Sequence, residues 1–306
     1  MEASITLKNV SKKLKKRYII SNVSFGVEKG SIFGILGRNG SGKSTLLRLM
    51  SGMNVIDNGK IFIFGKEISN KKQKVRIGYL PQYDMHDPWM MVREVLFKRA
   101  SLLGINKDES EERIIYFINE LEIGDYLNEC IMNCSVGIRR KIDLIQVLLG
   151  DPEILLLDEP TNNLDIVSLN SVLREFVRLK NKGATIVIST NNLSDFLSIF
   201  DRWIILSNGR VVFDGNWEKF ESIDELPYRC EFRLKKVADE SLSFDEVESG
   251  IMEKEERNGY WIVKFQSPAF FKKFVERVGI ENMVLLDSDI IDFEILLRNI
   301  GKDDII

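Results

Sequence analysis

The chain is poor in the side chains on which most metal and redox chemistry rests. Its 306 residues include one histidine, His86, and three cysteines, Cys130, Cys134 and Cys230. No two cysteines form a C-x-x-C pair, so the ligand set of a zinc site is missing. Free thiols in a reducing compartment are expected, and His86 is expected to be a loop residue rather than a base or ligand. No apolar run approaches the roughly 18 residues that a membrane-spanning helix needs. The opening Met1-Glu2-Ala3-Ser4 does not read as a secretion signal. The net charge of −3 lacks the basic excess of a general nucleic-acid binder. What remains is 44% hydrophobic and long enough for one large domain and a small one, or for two of medium size.

One stretch organises the rest. Gly37-Arg38-Asn39-Gly40-Ser41-Gly42-Lys43-Ser44 fits the Walker A pattern G-x-x-x-x-G-K-[ST] at every fixed position. Ser31-Ile32-Phe33-Gly34-Ile35-Leu36 before it reads as a buried strand, and Thr45-Leu46-Leu47-Arg48-Leu49-Met50 after it as a helix. Triphosphate oxygens must be wrapped by backbone N–H groups at close range, and the glycines permit that approach. The helix beginning near Lys43 adds the positive end of its dipole. Lys43 is expected to reach the β- and γ-phosphates and Ser44 to offer its hydroxyl to Mg²⁺.

A second motif lies downstream. Ile154-Leu155-Leu156-Leu157-Asp158-Glu159 is an apolar strand that delivers two carboxylates at its carboxyl end, where α/β sheets place their ligands. Asp158 is expected to hold Mg²⁺, directly or through water, and Glu159 to orient or deprotonate the attacking water.

The remaining pattern frames these two. Residues 5–7 and 20–27 alternate as strands do, and the basic run from Lys12 to Tyr18 between them reads as a solvated hairpin. Further strands are expected at 60–64, at 77–82 ending on Pro81-Gln82, at 185–189, and in a hairpin of 204–206 with 211–213 around Asn208-Gly209. Helical spacing runs from Val92 to Leu103, from Glu109 to Leu121, and from an N-cap at Ser135 through Leu149. Alternating strands and helices give a largely parallel sheet with helices on its faces.

Taken in order, these segments resemble the nucleotide-binding subunits of ABC transporters, over roughly residues 3–220. The ordered set is Walker A at 37–44, a glutamine loop at Gln82, a signature-like segment at 134–138, Walker B at 154–159, and Pro160-Thr161-Asn162-Asn163-Leu164-Asp165. The resemblance implies a P-loop NTPase cassette of the ABC type: a mainly parallel sheet, an antiparallel edge region, and a helical subdomain at about 84–150. It implies ATP and Mg²⁺ as ligands and a sandwich of two cassettes, homodimeric or heterodimeric. Each ATP then lies between Walker A (including Thr45) and Walker B of one subunit and the signature segment, Ser135 and Gly137, of the other. Gln82 would sense the nucleotide's metal and contact a separate membrane permease, and Asp165 would lie at the dimer interface.

Several positions depart from the family. The signature is usually L-S-G-G-Q, and here it reads Cys134-Ser135-Val136-Gly137-Ile138. Val136 puts a β-branched side chain where backbone should meet phosphate, and Ile138 removes an amide. Asn191 stands where the family has its switch histidine. The aromatic that usually stacks on adenine aligns nearest Leu14, with Tyr18 close by. In a homodimer both kinds of defect meet in both sites, so slow or absent hydrolysis is expected there.

After Phe220 the pattern changes. Residues 221–225 read as a linker, 228–234 and 260–265 as strands, Ser267-Pro268 as a helix start with an apolar face from Phe270 to Val278, and 284–300 as a strand and closing helix. The expected division is a nucleotide-binding domain at 1–222 and a small α+β accessory domain at 223–306, similar to the appendage of some ABC exporter subunits. The leading function is the ATP-binding, ATP-hydrolysing subunit of an exporter. It would be peripheral on the inner face of the cell membrane through its permease, with no nucleic acid involved. The alternative is a soluble regulatory ABC-type ATPase with weak or no turnover.

Overall fold

The protein is described by a computed structural model. The described residues are 2–68, 75–83, 87–196, 198–221, 228–234, 251–257, 260–265 and 283–290. His86 and the expected helices after 267 and 290 lie outside them. The chain divides into two compact units, residues 1–191 with 198–211, and residues 192–197 with 212–306.

The first unit opens on two long antiparallel strands, β1 (Ala3–Leu14) and β2 (Arg17–Glu28). They run well beyond the alternating segments at 5–7 and 20–27, through the basic run to a turn at Lys15-Lys16. Both turn residues have positive φ, 46° and 70°, a geometry usually given to Asn-Gly. Cross-strand contacts hold the extension. The Lys13 ammonium lies 4.5 Å from the ring centre of Tyr18, its partner across the ladder. Asp57 accepts from the Lys12 ammonium at 3.0 Å and from the Lys13 amide at 2.6 Å.

The chain then builds β3 (Ile32–Leu36), α1 (Lys43–Met50), β4 (Asn58–Ile63), β5 (Lys66–Glu67) and β6 (Ile77–Leu80). Three helices follow, α2 (Val92–Leu102), α3 (Lys107–Glu120) and α4 (Val136–Leu148). After them come β7 (Ile154–Asp158), α5 (Ile166–Asn181), β8 (Thr185–Thr190), β9 (Arg202–Ser207) and β10 (Arg210–Gly215). One sheet is antiparallel with order β2-β1-β4-β5; the other has order β10-β9-β3-β8-β7-β6. In the second sheet β3 pairs parallel with β8 and β9, and β7 pairs parallel with β6 and β8. Every residue of β3, β7 and β8 is buried, which is why they read as continuous apolar runs rather than alternating ones. Ile5, Leu7, Val23 and Val27 of the antiparallel sheet share one core with Phe33, Ile35, Leu46 and Leu47.

The helical subdomain is built around α4. Ser135 accepts a hydrogen bond from the Ile138 amide, as its N-cap assignment requires. At the other end, Arg99 donates to the Gln146 carbonyl at 3.1 Å and Arg113 to the Leu149 carbonyl at 2.8 Å. Both cations sit where the helix dipole is negative.

The sequence reading leaves α5 unassigned, yet its signal was present. Val172, Phe176 and Leu179 recur at helical spacing and are all buried. Asp165 precedes the helix and accepts from the Ser168 amide at 2.8 Å.

The second unit contains α6 (Trp217–Glu221), with Phe220 packed edge-on to Phe213 at 5.5 Å. It also contains four strands, β11 (Tyr228–Leu234), β12 (Ile251–Arg257), β13 (Tyr260–Phe265) and β14 (Met283–Ile290). They form an antiparallel sheet of order β12-β13-β11-β14. Strand β12 was not anticipated, since Glu253, Lys254, Glu255 and Glu256 give it a charged rather than an alternating pattern.

The cap of α5 yields a test. The hydrogen bond from the Ser168 backbone, the Ser168 hydroxyl and nearby Lys141 hold the Asp165 carboxyl below the usual carboxylate range. A depressed carboxyl contributes stability above its unfolded pKa of about 3.9 and loses it as pH falls through the folded value. Asp165→Ala should therefore cost about 1 kcal/mol at pH 7, a fall of roughly 2–4 °C in melting temperature. Asp165→Asn should keep the cap, and its difference from the parent should shrink in melts run from pH 5 down to pH 3.

Candidate functional site

The site begins where β3 ends. Residues 37–42 form the loop, and α1 starts at Lys43 with Gly42 as its N-cap and no side chain capping it. The first amides of the helix are therefore left for an anion. Gly42 has φ 110°, and a Cβ there would stand 2.9 Å from the Ile19 carbonyl oxygen. Only glycine fits that conformation and that approach. A Cβ on Gly37 would stand 2.4 Å from the Leu206 carbonyl oxygen, so the loop is held between the start of β2 and the end of β9. The Gly209 amide adds a bond to the Ser41 carbonyl at 3.0 Å. Arg38, Asn39 and Gly40 are exposed, while Ser44 and Thr45 are half-buried on the first turn of α1.

Lys43 is buried at 5% exposure. Its ammonium donates to the Gly37 carbonyl at 2.6 Å and lies 3.3 Å from Glu159 Oε1. Glu159 is equally buried, has φ 52°, and accepts from Asn162 Nδ2 at 3.2 Å on its other oxygen. The phosphate loop and the carboxylates at the end of β7 thus meet in one place. Their meeting follows from the sheet order, in which β8 alone separates β3 from β7.

Asp158 is fully buried beside them. Its Oδ1 accepts from the Ser189 hydroxyl, its register partner on β8. Among the described residues its Oδ2 has no hydrogen-bond partner, and neither has the buried hydroxyl of Ser41. An orphaned buried carboxylate oxygen is costly unless something else answers it. A magnesium ion suits it: Mg²⁺ takes oxygen ligands, few of them from protein, and completes its shell with water and phosphate. Among the described residues no group of three or more His, Cys, Asp or Glu could hold a metal by itself, in keeping with that mode.

The other expected residues stand apart from this cluster. Gln82 is exposed in the bend just after β6. Asn191 is exposed one residue beyond β8. Ser135 and Gly137 stand at the N-terminus of α4, with Val136 between them 49% exposed. A Cβ on Gly137 would lie 2.8 Å from the Asn163 carbonyl oxygen, so this glycine serves a close approach within the chain. Cys130 and Cys134 are free thiols, and burial pushes the Cys134 thiol up, away from reactivity.

Two residues in the site escaped the sequence reading. Ser189 is one, and its signal was a hydroxyl directly after the apolar run Ile186-Val187-Ile188. Arg140 is the other. It is buried and donates to the carbonyls of Pro81, Asp158 and Glu159. Nothing in the run Arg139-Arg140-Lys141 marks the middle residue as the one that donates to these carbonyls.

Comparison with known proteins agrees with this geometry. The family model for the ABC transporter domain matches residues 20–162. The chain is 32% identical over 225 residues to the Nod factor export ATP-binding protein I of Rhizobium etli, covering 73% of this chain and 71% of that one. It is 32% identical over 236 residues to the ABC transporter ATP-binding protein NatA of Bacillus subtilis, covering 73% of this chain and 95% of that one. A solved ATP-binding subunit of an ABC transporter superposes with a TM-score of 0.66 at 26% identity, covering 71% of this chain and 91% of that one. A dimeric ATP-binding cassette bound to ADP and phosphate superposes with a TM-score of 0.63 over 69% of this chain and 98% of that one. At 23% identity it speaks for the fold alone. The chain belongs to the family of ABC transporter ATP-binding proteins.

Proposed function

We propose that this chain hydrolyses ATP to drive a separate membrane permease, with an exporter as the best-supported kind. The contact of Lys43 with Glu159, beside the orphaned oxygen of Asp158, carries the reading. Those three groups are what phosphoryl transfer to water requires: a cation for the phosphates, an oxygen ligand for a metal, and a base or water-orienting carboxylate. An incoming β- or γ-phosphate competes with Glu159 for the Lys43 ammonium. Once exchanged, Glu159 is released towards the attacking water, still tethered by Asn162. Asp158 and Ser44 would hold a magnesium ion, and Ser189 fixes the Asp158 carboxylate by donating to its other oxygen. The bound ion neutralises charge on the phosphate oxygens. Gln82 and Asn191 approach the nucleotide from exposed positions. Ser135 and Gly137 are offered to a second cassette rather than to the chain's own phosphate loop, in keeping with the exposed N-terminus of α4.

The permease side rests on a groove of about 390 Å³ beside the glutamine loop. Met53, Tyr79, Met90 and Leu102 give it apolar walls, and Asp87 and Lys98 give it charge. Such a lining suits an amphipathic cytoplasmic helix of a membrane protein. No helix among the described residues is long and apolar enough to cross a membrane. A permease in a separate chain is part of the proposal. Bound to such a permease, the protein would be peripheral on the inner face of the membrane. Export is favoured by the relatives named for Nod factor export. The nucleotide-binding domain is assigned to 1–222, with its helical subdomain at about 84–150, and the accessory domain to 223–306.

Purified protein should bind ATP–Mg²⁺, and Lys43→Ala should weaken that binding by at least ~10-fold in equilibrium titration. Any measurable turnover should fall by ~10²-fold or more in Glu159→Gln. Brisk turnover that survives Glu159→Gln would overturn the assignment of the base. Turnover by the isolated chain is expected to be slow because Val136, Ile138 and Asn191 lack groups that the reaction uses. The triple change Val136→Gly, Ile138→Gln, Asn191→His should raise it by ~10²–10³-fold. An unchanged rate would show that those positions do not limit hydrolysis.

A further inference from the structure

We propose that Arg140 is the positioning residue through which the signature-like segment, the hydrolytic carboxylates and the glutamine loop move as one. The inference rests on the nucleotide-binding reading and goes beyond it, since it concerns how the parts of the site are joined.

Arg140 lies on α4 five residues after Ser135, and its side chain is 7% exposed. One arm of its guanidinium, Nη1, donates to the Pro81 carbonyl at 2.7 Å. The other, Nη2, is shared between the carbonyls of Asp158 and Glu159, the latter at 2.9 Å. The three acceptors are not ordinary core carbonyls. Pro81 immediately precedes Gln82, so its carbonyl belongs to the peptide that aims the glutamine. Asp158 and Glu159 are the two acids of the site, and their carbonyls sit at the bend where β7 ends and Glu159 takes positive φ. Fixing that backbone fixes the direction of the Glu159 carboxylate towards Lys43.

Arginine suits this work better than other residues. Its planar fork presents two sets of donors to acceptors on different segments, and its charge persists at every relevant pH. Lysine would bring the charge but only a single point from which to donate. The same helix is tied at its tip to the segment after Glu159, because Gly137 packs against the Asn163 carbonyl. A displacement of the α4 N-terminus by a second cassette therefore reaches the Glu159 backbone by two routes. Of these two, the route through Arg140 also reaches Pro81, the residue before Gln82. That geometry joins one nucleotide site to the other, and both to the permease face.

The test is hydrogen exchange on the full chain in a Glu159→Gln parent, titrated with ATP–Mg²⁺. Segments 37–44, 79–83 and 134–140 are followed separately. The parent should gain protection in all three at one ATP midpoint. With Arg140→Met added, segment 37–44 should keep its midpoint within about twofold, while 79–83 and 134–140 should lose at least about half of their ATP-dependent protection. Arg140→Lys should recover part of the loss, and it replaces the methionine variant if that one fails to fold. A residue that merely supported the fold would lower protection at all three segments together, with or without ATP. Equal midpoints and full protection at all three segments in both variants would overturn the coupling while leaving nucleotide binding intact. No ATP-dependent protection at 37–44 in the parent would overturn the nucleotide reading and the coupling with it.

Discussion

A buried ammonium must be matched, and in this protein Lys43 is matched by Glu159. Both are 5% exposed and 3.3 Å apart. Leaving either charge alone at that depth would cost several kcal/mol, of the order of ~3–5 for a broken buried pair. The pairing therefore dictates that the loop after β3 and the bend after β7 occupy the same space. The sheet order meets this demand by setting one strand, β8, between them and bringing Ser189 level with Asp158. The pair is also exchangeable. Phosphate can replace carboxylate at an ammonium without leaving a charge unmatched, so the contact that completes the site is the one that substrate binding undoes.

The parts of the site that could be read from sequence are those where one residue type has one physical reason. The glycines at 37, 40 and 42 and the acids after a buried strand belong to this class. So does Ser135, whose role as an N-cap follows from a hydroxyl placed just before helical spacing begins. The fold's main strands were legible for the same reason, since a fully buried parallel strand has to be continuously apolar. What stayed hidden depends on direction in space. Arg139, Arg140 and Lys141 are chemically similar neighbours, Arg140 and Lys141 are both buried, and only the packing of α4 on the ends of β6 and β7 aims Arg140 at the carbonyls there. The length of β1 and β2 was hidden for another reason. Lysines at positive φ look like a solvated loop until the Tyr18 ring and the Asp57 carboxylate are seen to hold Lys12 and Lys13 on the strand that leads into it.

Tyr18 illustrates how such a contact changes a reading. The resemblance to the family sets the adenine-stacking aromatic nearest Leu14, and Leu14 is 63% exposed at the tip of the hairpin. Tyr18 is 49% exposed and has an ammonium over its ring. It also immediately precedes Ile19, whose carbonyl oxygen abuts Gly42 of the phosphate loop. Position along the chain favours Leu14, while proximity to the loop and the chemistry of stacking favour Tyr18.

The signature-like segment contains two glycine-type positions, and the structure separates their causes. Gly137 is demanded by the chain's own fold, because any Cβ would press on the Asn163 carbonyl. Its presence therefore says little about phosphate. Val136 is half exposed at the first turn of α4, where the fold tolerates many residues, and Ile138 is only partly buried. Folding alone thus explains the glycine that is kept and places no demand for glycine at the position where it is lost. The residues proposed to act within a single chain, Lys43, Ser44, Asp158 and Glu159, match the family's motifs. The departures gather on the surface that a second cassette would meet and at Asn191 beyond β8. On the proposed function, a chain built this way would keep the means to hold a nucleotide and would depend on the opposing surface for the contacts that speed hydrolysis. That asymmetry is better served by a partner with a complete signature than by a second copy of the same chain.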